Sequence, residues 1–257
     1  MNEALLRLNN EYTMLHYPYY GSESDSFLDA QANLTDYCIS LLPPLSGKEL
    51  LEVGCGNGVQ AIYLHEKYSP GHISAIDLND GNIDIARKEV EKKGIEGIMF
   101  HVDDAQALST IESNSMDFVI NIESAFHYPD KALFLRQLYR VLKPEGAFVI
   151  ADILTRNSRS NRLKNRWKRK MSYHHWPLSN YEAELPRAGF HKLSTTDITR
   201  EVIRGFSCYK RWLREMKRSH FMEDLILKLY YTIHTRVNMY LLRTRRQYVI
   251  FVGAKPL

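Results

Sequence analysis

The residues best able to do chemistry in this chain are four carboxylates and a run of glycines. Leu50-Leu51-Glu52-Val53 is an apolar run carrying one acid, and Gly54-Cys55-Gly56-Asn57-Gly58 follows with glycines at alternate positions. Gln60-Ala61-Ile62-Tyr63-Leu64 then reads as helix. A glycine turn lets a ligand touch the main chain, and the helix behind it offers free N–H groups. The pattern E-x-G-x-G-x-G lacks the third glycine of the dinucleotide fingerprint, and no Gly-Lys-Ser/Thr of a phosphate loop follows. Glu52, at the mouth of the strand, repels phosphate and attracts a cation. Asp77, Asp104 and Glu123 stand at or just past the ends of later apolar runs. Each alone reads as a strand-end charge, but Glu52, Asp77 and Asp104 at three successive strand ends together favour a bound ligand.

These groups need a frame to bring them together. Glu49–Val53, His72–Asp77, Ile98–Val102, Met116–Ile122 and Ala147–Ala151 read as strands, with helices over Val59–Lys67, Asn82–Lys93 and Asp130–Leu142. That alternation predicts a mostly parallel sheet covered by helices on both faces. Ligands in such sheets bind at the C-terminal ends of the strands, where Glu52, Asp77, Asp104 and Glu123 fall. Ser26 and Asp29 form a capping-box pattern before a helix that Leu42-Pro43-Pro44 ends. Lys143-Pro144-Glu145-Gly146 reads as a turn.

The flanks are less regular. Leu5, Leu8, Tyr12 and Leu15 recur at helical spacing, so a first helix is expected before Pro18. This aromatic arm, residues 1–25, serves as a lid on the site or as a clamp on the core. Arg156–Lys170 has eight basic residues and no acidic one. Leu163, Trp167 and Met171 make it a candidate basic amphipathic helix. A helix with Tyr181 and Leu185, a strand around Lys192–Thr196, a helical block over 205–242 broken near His220, and a last strand at Gln247–Ala254 complete the chain.

Composition bounds the class. The chain has 257 residues, 44% hydrophobic and 25% charged, ordinary values for one globular α/β unit. Cys38, Cys55 and Cys208 are widely spaced, so neither a disulfide framework nor a metal site is expected. The N-terminus lacks a basic start with an apolar core, and no uncharged apolar run reaches the length of a membrane span. A reducing, cytoplasmic location is the expectation, with peripheral membrane association an option. Charge divides unevenly: residues 1–155 hold 11 Lys/Arg and 23 Asp/Glu, and residues 156–257 hold 23 and 7. The C-terminal part therefore suits an anionic partner: a lipid surface or acidic carrier protein meeting 156–170, an anionic substrate, or nucleic acid.

Several stretches occur in order with one family's spacing: Leu50–Gly58, Ala75-Ile76-Asp77-Leu78, Asp103-Asp104-Ala105, Glu123-Ser124-Ala125-Phe126-His127, Arg140–Gly146 and Ala151-Asp152-Ile153. Together they resemble class I S-adenosylmethionine (SAM) methyltransferases, in the branch acting on natural products, sterols and quinones. The resemblance covers about residues 27–155 strongly. It implies a Rossmann-like, mostly parallel seven-stranded sheet, with a SAM-binding core at 26–155 and helical cap insertions at 153–178 and 205–242, all in one domain. It implies that Gly54 and Gly56 contact the methionine part of SAM through the backbone, with Glu52 near its ammonium. Asp77, beside Leu78, takes the ribose hydroxyls, and Asp104 with Ala105 reads the adenine. Asn82 stands where relatives carry Gln, and Asn121 is expected beside the methionine.

A sulfonium methyl is already activated, so the protein mainly aligns an acceptor with it. His127 is the first candidate general base for a hydroxyl acceptor, with a purely structural histidine as the alternative. His16, His174 and His175 are secondary. Tyr12, Tyr20, His127 and Trp176 are the candidate substrate contacts, and the aromatic flanks suit an apolar, lipid-like small molecule methylated on O or N rather than C. An RNA methyltransferase and a SAM-fold cyclase or binding protein are the rival readings. Strand four ends in Asn121-Ile122-Glu123-Ser124 without the Asn/Asp-Pro-Pro-Tyr/Phe motif of amino-methylating nucleic-acid enzymes, which weighs against the first. The helical block over 205–242 is a candidate homodimer interface.

Overall fold

A computed structural model describes residues 7–8, 11–22, 25–156, 173–208 and 221–257. Seven strands form one sheet: β1 (Glu49–Val53), β2 (His72–Asp77), β3 (Ile98–Val102), β4 (Met116–Ile122), β5 (Leu142–Thr155), β6 (His191–Asp197) and β7 (Arg246–Ala254). Their order is β3-β2-β1-β4-β5-β7-β6. The first five are parallel, and β7 runs antiparallel to both β5 and β6. The order reverses between β1 and β4, and that reversal opens the crevice where ligands bind in such sheets.

Helices cover both faces. They are α1 (Phe27–Ser40), α2 (Val59–Tyr68), α3 (Asp80–Lys93), α4 (Lys131–Val141), α5 (Leu178–Arg187), α6 (Thr199–Ser207) and α7 (Phe221–Thr244). Successive strand residues point to opposite faces, so Leu50 joins one apolar cluster and Leu51 the other. The first cluster packs α1, α2, α3, α6 and the end of α7 on the sheet, and the second packs α4 and α5. Ser26 caps α1 through the reciprocal bonds with Asp29 that the sequence predicts.

Three expectations fail. No helix forms over the arm's described part: Arg7–Leu8 and Glu11–Tyr12 pair as a short antiparallel ladder, and the chain then runs without regular structure, bending at Leu15–His16. The carbonyls a helix would use are taken by distant side chains instead. Asn57 Nδ2 donates to Thr13 O at 2.9 Å, and Gln31 Nε2 donates to Met14 O and His16 O at 2.5 and 3.1 Å. Second, Lys143–Gly146 is not a separate turn. It is an irregular start of β5, where pairing with β4 shifts register and Glu145 takes a φ of 62°. Third, β5 runs on to Thr155, because β7 pairs with it over its whole second half, from Ala147 to Thr155. Apart from Arg156, the predicted basic helix at 156–170 lies outside the described residues, as does the break near His220.

Candidate functional site

The glycine turn is held open by its surroundings. Gly54 has a φ of 78°, and a Cβ there would meet Ser124 Oγ at 2.3 Å; at Gly56, with a φ of 54°, it would meet Leu15 Cδ1 at 2.8 Å. The positive φ disfavours a side chain at both positions, and at Gly54 the close Ser124 Cβ, at 2.4 Å, excludes one sterically as well. The turn leads into α2 through Gly58, which aims that helix's first N–H groups at the crevice.

A cavity of about 1030 Å³ opens at these strand ends. Glu52, Gly54, Gly56, Asp77, Leu78, Asn82, Asp104, Ala105 and His127 all line it, so the structure brings together nine of the sequence-derived candidates. Asp77 is oriented by the turn itself: its Oδ2 accepts the Gly56 N–H at 2.9 Å and its Oδ1 accepts the Asn79 N–H at 2.8 Å. Asn82 Nδ2 reaches Asp77 Oδ1 at 3.4 Å. Asp104 accepts the Gln106 N–H at 2.8 Å. Its neighbour Asp103 turns away to bind Ser109 and Thr110 and so builds the loop.

Glu52 is the electrostatic centre of this half. It is buried, its Oε1 accepts from Gln60 Nε2 at 2.8 Å, and its Oε2 has no protein partner. Burial pushes its pKa from 4.5 up to about 8, against the Gln60 hydrogen bond, and the nearby Asp77 adds to the rise. A buried carboxylate oxygen without a donor is costly, and a cation placed beside it would remove that cost. The orphaned oxygen, the glycine cradle and the carboxylates at the next two strand ends fit a ligand that is cationic at one end and rich in hydrogen-bond donors along its length.

The other half is more apolar and is assembled from afar. Met14, Leu15 and His16 of the arm line it with Phe126, His127 and His174. Glu123, in left-handed conformation at a φ of 52°, turns its carboxyl to accept the Tyr17 N–H at 2.7 Å and so pins the arm. Enclosure raises the Glu123 pKa to about 8. Burial lowers that of His16 to about 4, which keeps its ring neutral at pH 7. His16 Nε2 lies 3.2 Å from Thr35 Oγ1, which donates to Gln60 Oε1 at 3.1 Å. The arm is thereby joined through Gln60 to Glu52.

The segment after β5 is latched by a buried ion pair. Lys131 Nζ and Asp152 Oδ2 lie 3.6 Å apart with both side chains fully buried, and the Tyr181 hydroxyl donates to the same Oδ2 at 2.9 Å. Burial pushes Lys131 down and Asp152 up, each opposed by its partner's charge. Lys131 Nζ also donates to His174 O, and the His174 N–H donates to Phe126 O at 2.6 Å. His127 is exposed at the cavity rim, with Phe126 and Tyr173 rings at 4.4 and 5.4 Å.

Four expected contacts lie elsewhere. Asn121 does not line the cavity; it is fully buried behind the wall, where Nδ2 lies 2.9 Å from Val53 O, 2.6 Å from Ser124 Oγ and 2.9 Å from Tyr128 OH. Its side chain points into the sheet because the pleat turns it away from the crevice. Trp176 packs edge-on against Tyr181 with Lys131 Nζ 5.7 Å from its ring, Tyr20 lies against Gly205 of α6, and Tyr12 sits in the short ladder. The cavity residues that sequence reasoning missed include Met14, Leu15, Gln60, Ser124, Phe126 and Tyr128. The E-S-A-F-H stretch holds two of them, Ser124 and Phe126, whereas no local signal marks the arm.

Comparison with known proteins agrees with this geometry. Residues 44–206 match the family model described as a methyltransferase domain, and the chain belongs to that family. It is 32% identical over 176 residues to the probable phthiotriol/phenolphthiotriol dimycocerosates methyltransferase 2 of Mycobacterium ulcerans, covering 68% of this chain and 59% of that protein. It is 33% identical over 161 residues to the fatty-acid O-methyltransferase of Mycolicibacterium smegmatis, covering 63% of this chain and 50% of that one. The chain thus spans little more than half the length of these relatives. The fold resembles Haemonchus contortus phospholethanolamine N-methyltransferase 2, solved with phosphomonomethylethanolamine and S-adenosylhomocysteine, at a TM-score of 0.77 and 18% identity, over 88% of this chain and 53% of that one. The architecture is the Rossmann-like methyltransferase fold.

Proposed function

We propose that this member of the methyltransferase-domain family binds SAM and moves its methyl group to an oxygen of a lipid-like acceptor. The observation that carries the reading is one cavity lined both by the carboxylates Glu52, Asp77 and Asp104 and by Leu15, Phe126 and His127. At about 1030 Å³ it has room for a nucleoside-bearing ligand and part of a long acceptor together. The printed activities of the two mycobacterial relatives, on phthiotriol-type lipids and fatty acids, support the acceptor class.

SAM, when bound, supplies an activated sulfonium methyl. Glu52 would hold its ammonium with the unpartnered Oε2. The backbone of Gly54 and Gly56 would lie along the methionine chain, and Asp77 would take the ribose hydroxyls. Asp104 and the Ala105 backbone would read the adenine edge, with Leu78 and Asn82 also lining the cavity. On the acceptor side, Met14 and Phe126 exclude water, and proximity supplies most of the acceleration. His127 takes the proton of a hydroxyl acceptor; a carboxylate acceptor needs no base.

Incubation with methyl-labelled SAM and a panel of fatty acids and hydroxylated lipids tests this. Label in a lipid product supports the reading. Release by mild alkali identifies a methyl ester, and alkali-stable label that mass spectrometry locates on oxygen identifies an ether. Label on carbon or nitrogen, or SAM binding with no lipid labelled, overturns the oxygen-directed reading.

A further inference from the structure

α7 has two faces of different chemistry. Thr235, Asn238 and Leu242 are buried, with Leu242 and Met239 packed into the core. On the opposite face Leu229, Ile233, Val237 and Tyr240 are 61%, 54%, 50% and 57% exposed. Their spacing of four, four and three residues stacks them in one stripe, about 17 Å long at the rise of an α-helix. Exposed Arg236 and Arg243 flank the stripe. No acidic residue follows Asp224 to the last residue, Leu257, while Lys228, Arg236, Arg243, Arg245, Arg246 and Lys255 do. A helix face meant only for water would carry mixed charge where these four apolar side chains stand.

We propose that this face of α7 is a docking surface for an anionic lipid bilayer. The apolar stripe enters the boundary between headgroups and acyl chains, and Arg236 and Arg243 meet the phosphates. Their long side chains reach the headgroups while the helix lies in the interface, and Tyr240 suits the same depth. Charge decides against a second copy of this chain. A two-fold contact through the stripe would set Arg236 and Arg243 against the same residues of the partner. The surface is separate from the cavity, so it stands whether or not the acceptor is a lipid. α7 leads into Arg245 and Arg246, whose carbonyls Arg156 binds at 2.8 and 2.9 Å at the end of β5. Docking through α7 would therefore hold the β5 end of the site close to the membrane.

Co-sedimentation of the full chain with vesicles tests it. One set is phosphatidylcholine and the other is phosphatidylcholine mixed with phosphatidylglycerol. The chain is expected to pellet with the mixed vesicles and only weakly with phosphatidylcholine alone. Ile233→Asp with Val237→Asp should lower the affinity for mixed vesicles by about tenfold or more. Arg236→Ala and Arg243→Ala should each lower it about fivefold. Calorimetric binding of S-adenosylhomocysteine and an unchanged circular dichroism spectrum report that the variants fold. Should the aspartate pair misfold, Tyr240→Ser must still lower vesicle affinity. Three outcomes overturn the proposal: no binding of the wild-type chain to mixed vesicles; equal binding by folded variants, which would assign lipid affinity to the basic 156–170 segment; or, in sedimentation velocity without lipid, a dimer that the aspartate pair dissolves. Stripe-dependent binding to an acidic carrier protein in preference to mixed vesicles would overturn it as well.

Discussion

The polar and apolar halves of the cavity are built on opposite plans. In the polar half, Asp77 and Asp104 sit at strand ends and are oriented by backbone N–H groups of their own turns or of the turn next door. Each part is short-range in sequence or one strand away. In the more apolar part, Phe126 and His127 follow β4 directly, but the arm and His174 are brought in from afar. The arm reaches Glu123 across 106 residues, and Lys131 holds the carbonyl of His174 across 43. The first half is made by a motif, and the second by tertiary contacts that cost more to lose. If that contrast is right, damage to the latch should spread to stability, while damage to the polar rim should stay with the ligand.

The largest effect is expected at the latch. Lys131→Met leaves Asp152 buried without its cation and should destabilise the fold by about 3–5 kcal/mol in denaturant unfolding. Adding Asp152→Leu should restore part of that stability, because an apolar pair of similar volume often replaces a buried ion pair, while the buried Tyr181 hydroxyl loses its acceptor. It should not restore methyl transfer, since nothing then holds the His174 carbonyl. Full recovery of turnover in the double variant would remove the latch from the acceptor site.

Asp77→Ala should weaken S-adenosylhomocysteine binding about a hundredfold with little change in the unfolding midpoint; unchanged affinity would empty the polar half of its ligand. His127→Ala should lower kcat about a hundredfold for a hydroxyl acceptor, while S-adenosylhomocysteine affinity stays within a factor of about two. Equal losses in both would make His127 a binding or structural residue.

The smallest effect is a fraction of a proton. With its pKa raised to about 8, Glu52 is mostly protonated at pH 7 in the free protein. Its contribution to stability is full below 4.5 and is lost as pH rises through about 8, because the folded state binds the proton more tightly. A cation beside Oε2 returns the group to its charged form. Calorimetry near pH 7 in buffers of different ionisation enthalpy should then show release of more than about half a proton on SAM binding, and Glu52→Gln should abolish it.

The strand-end carboxylates were legible because the physics that fixes them is local. An apolar run must be a buried strand, a glycine cluster must turn, and an acid between them falls at the mouth. The arm was misread for the converse reason. Leu5, Leu8, Tyr12 and Leu15 satisfy helical spacing, but Gln31, Asn57 and Glu123 claim backbone groups of residues 13–17 and hold that stretch out of a helix. Asn121 was placed on the right strand, and the pleat then turned its amide inward.

By itself the sequence determined the parallel sheet, the glycine cradle and the carboxylates set around it, since period, turn chemistry and strand order are written in short segments. Tertiary structure alone decided three other features. It gave Glu52 a buried oxygen with no partner, laid Leu15 over the glycine turn, and joined Lys131 to Asp152 behind the acceptor wall. Burial and the meeting of distant chain segments exist only once the chain has folded, and no local pattern encodes them.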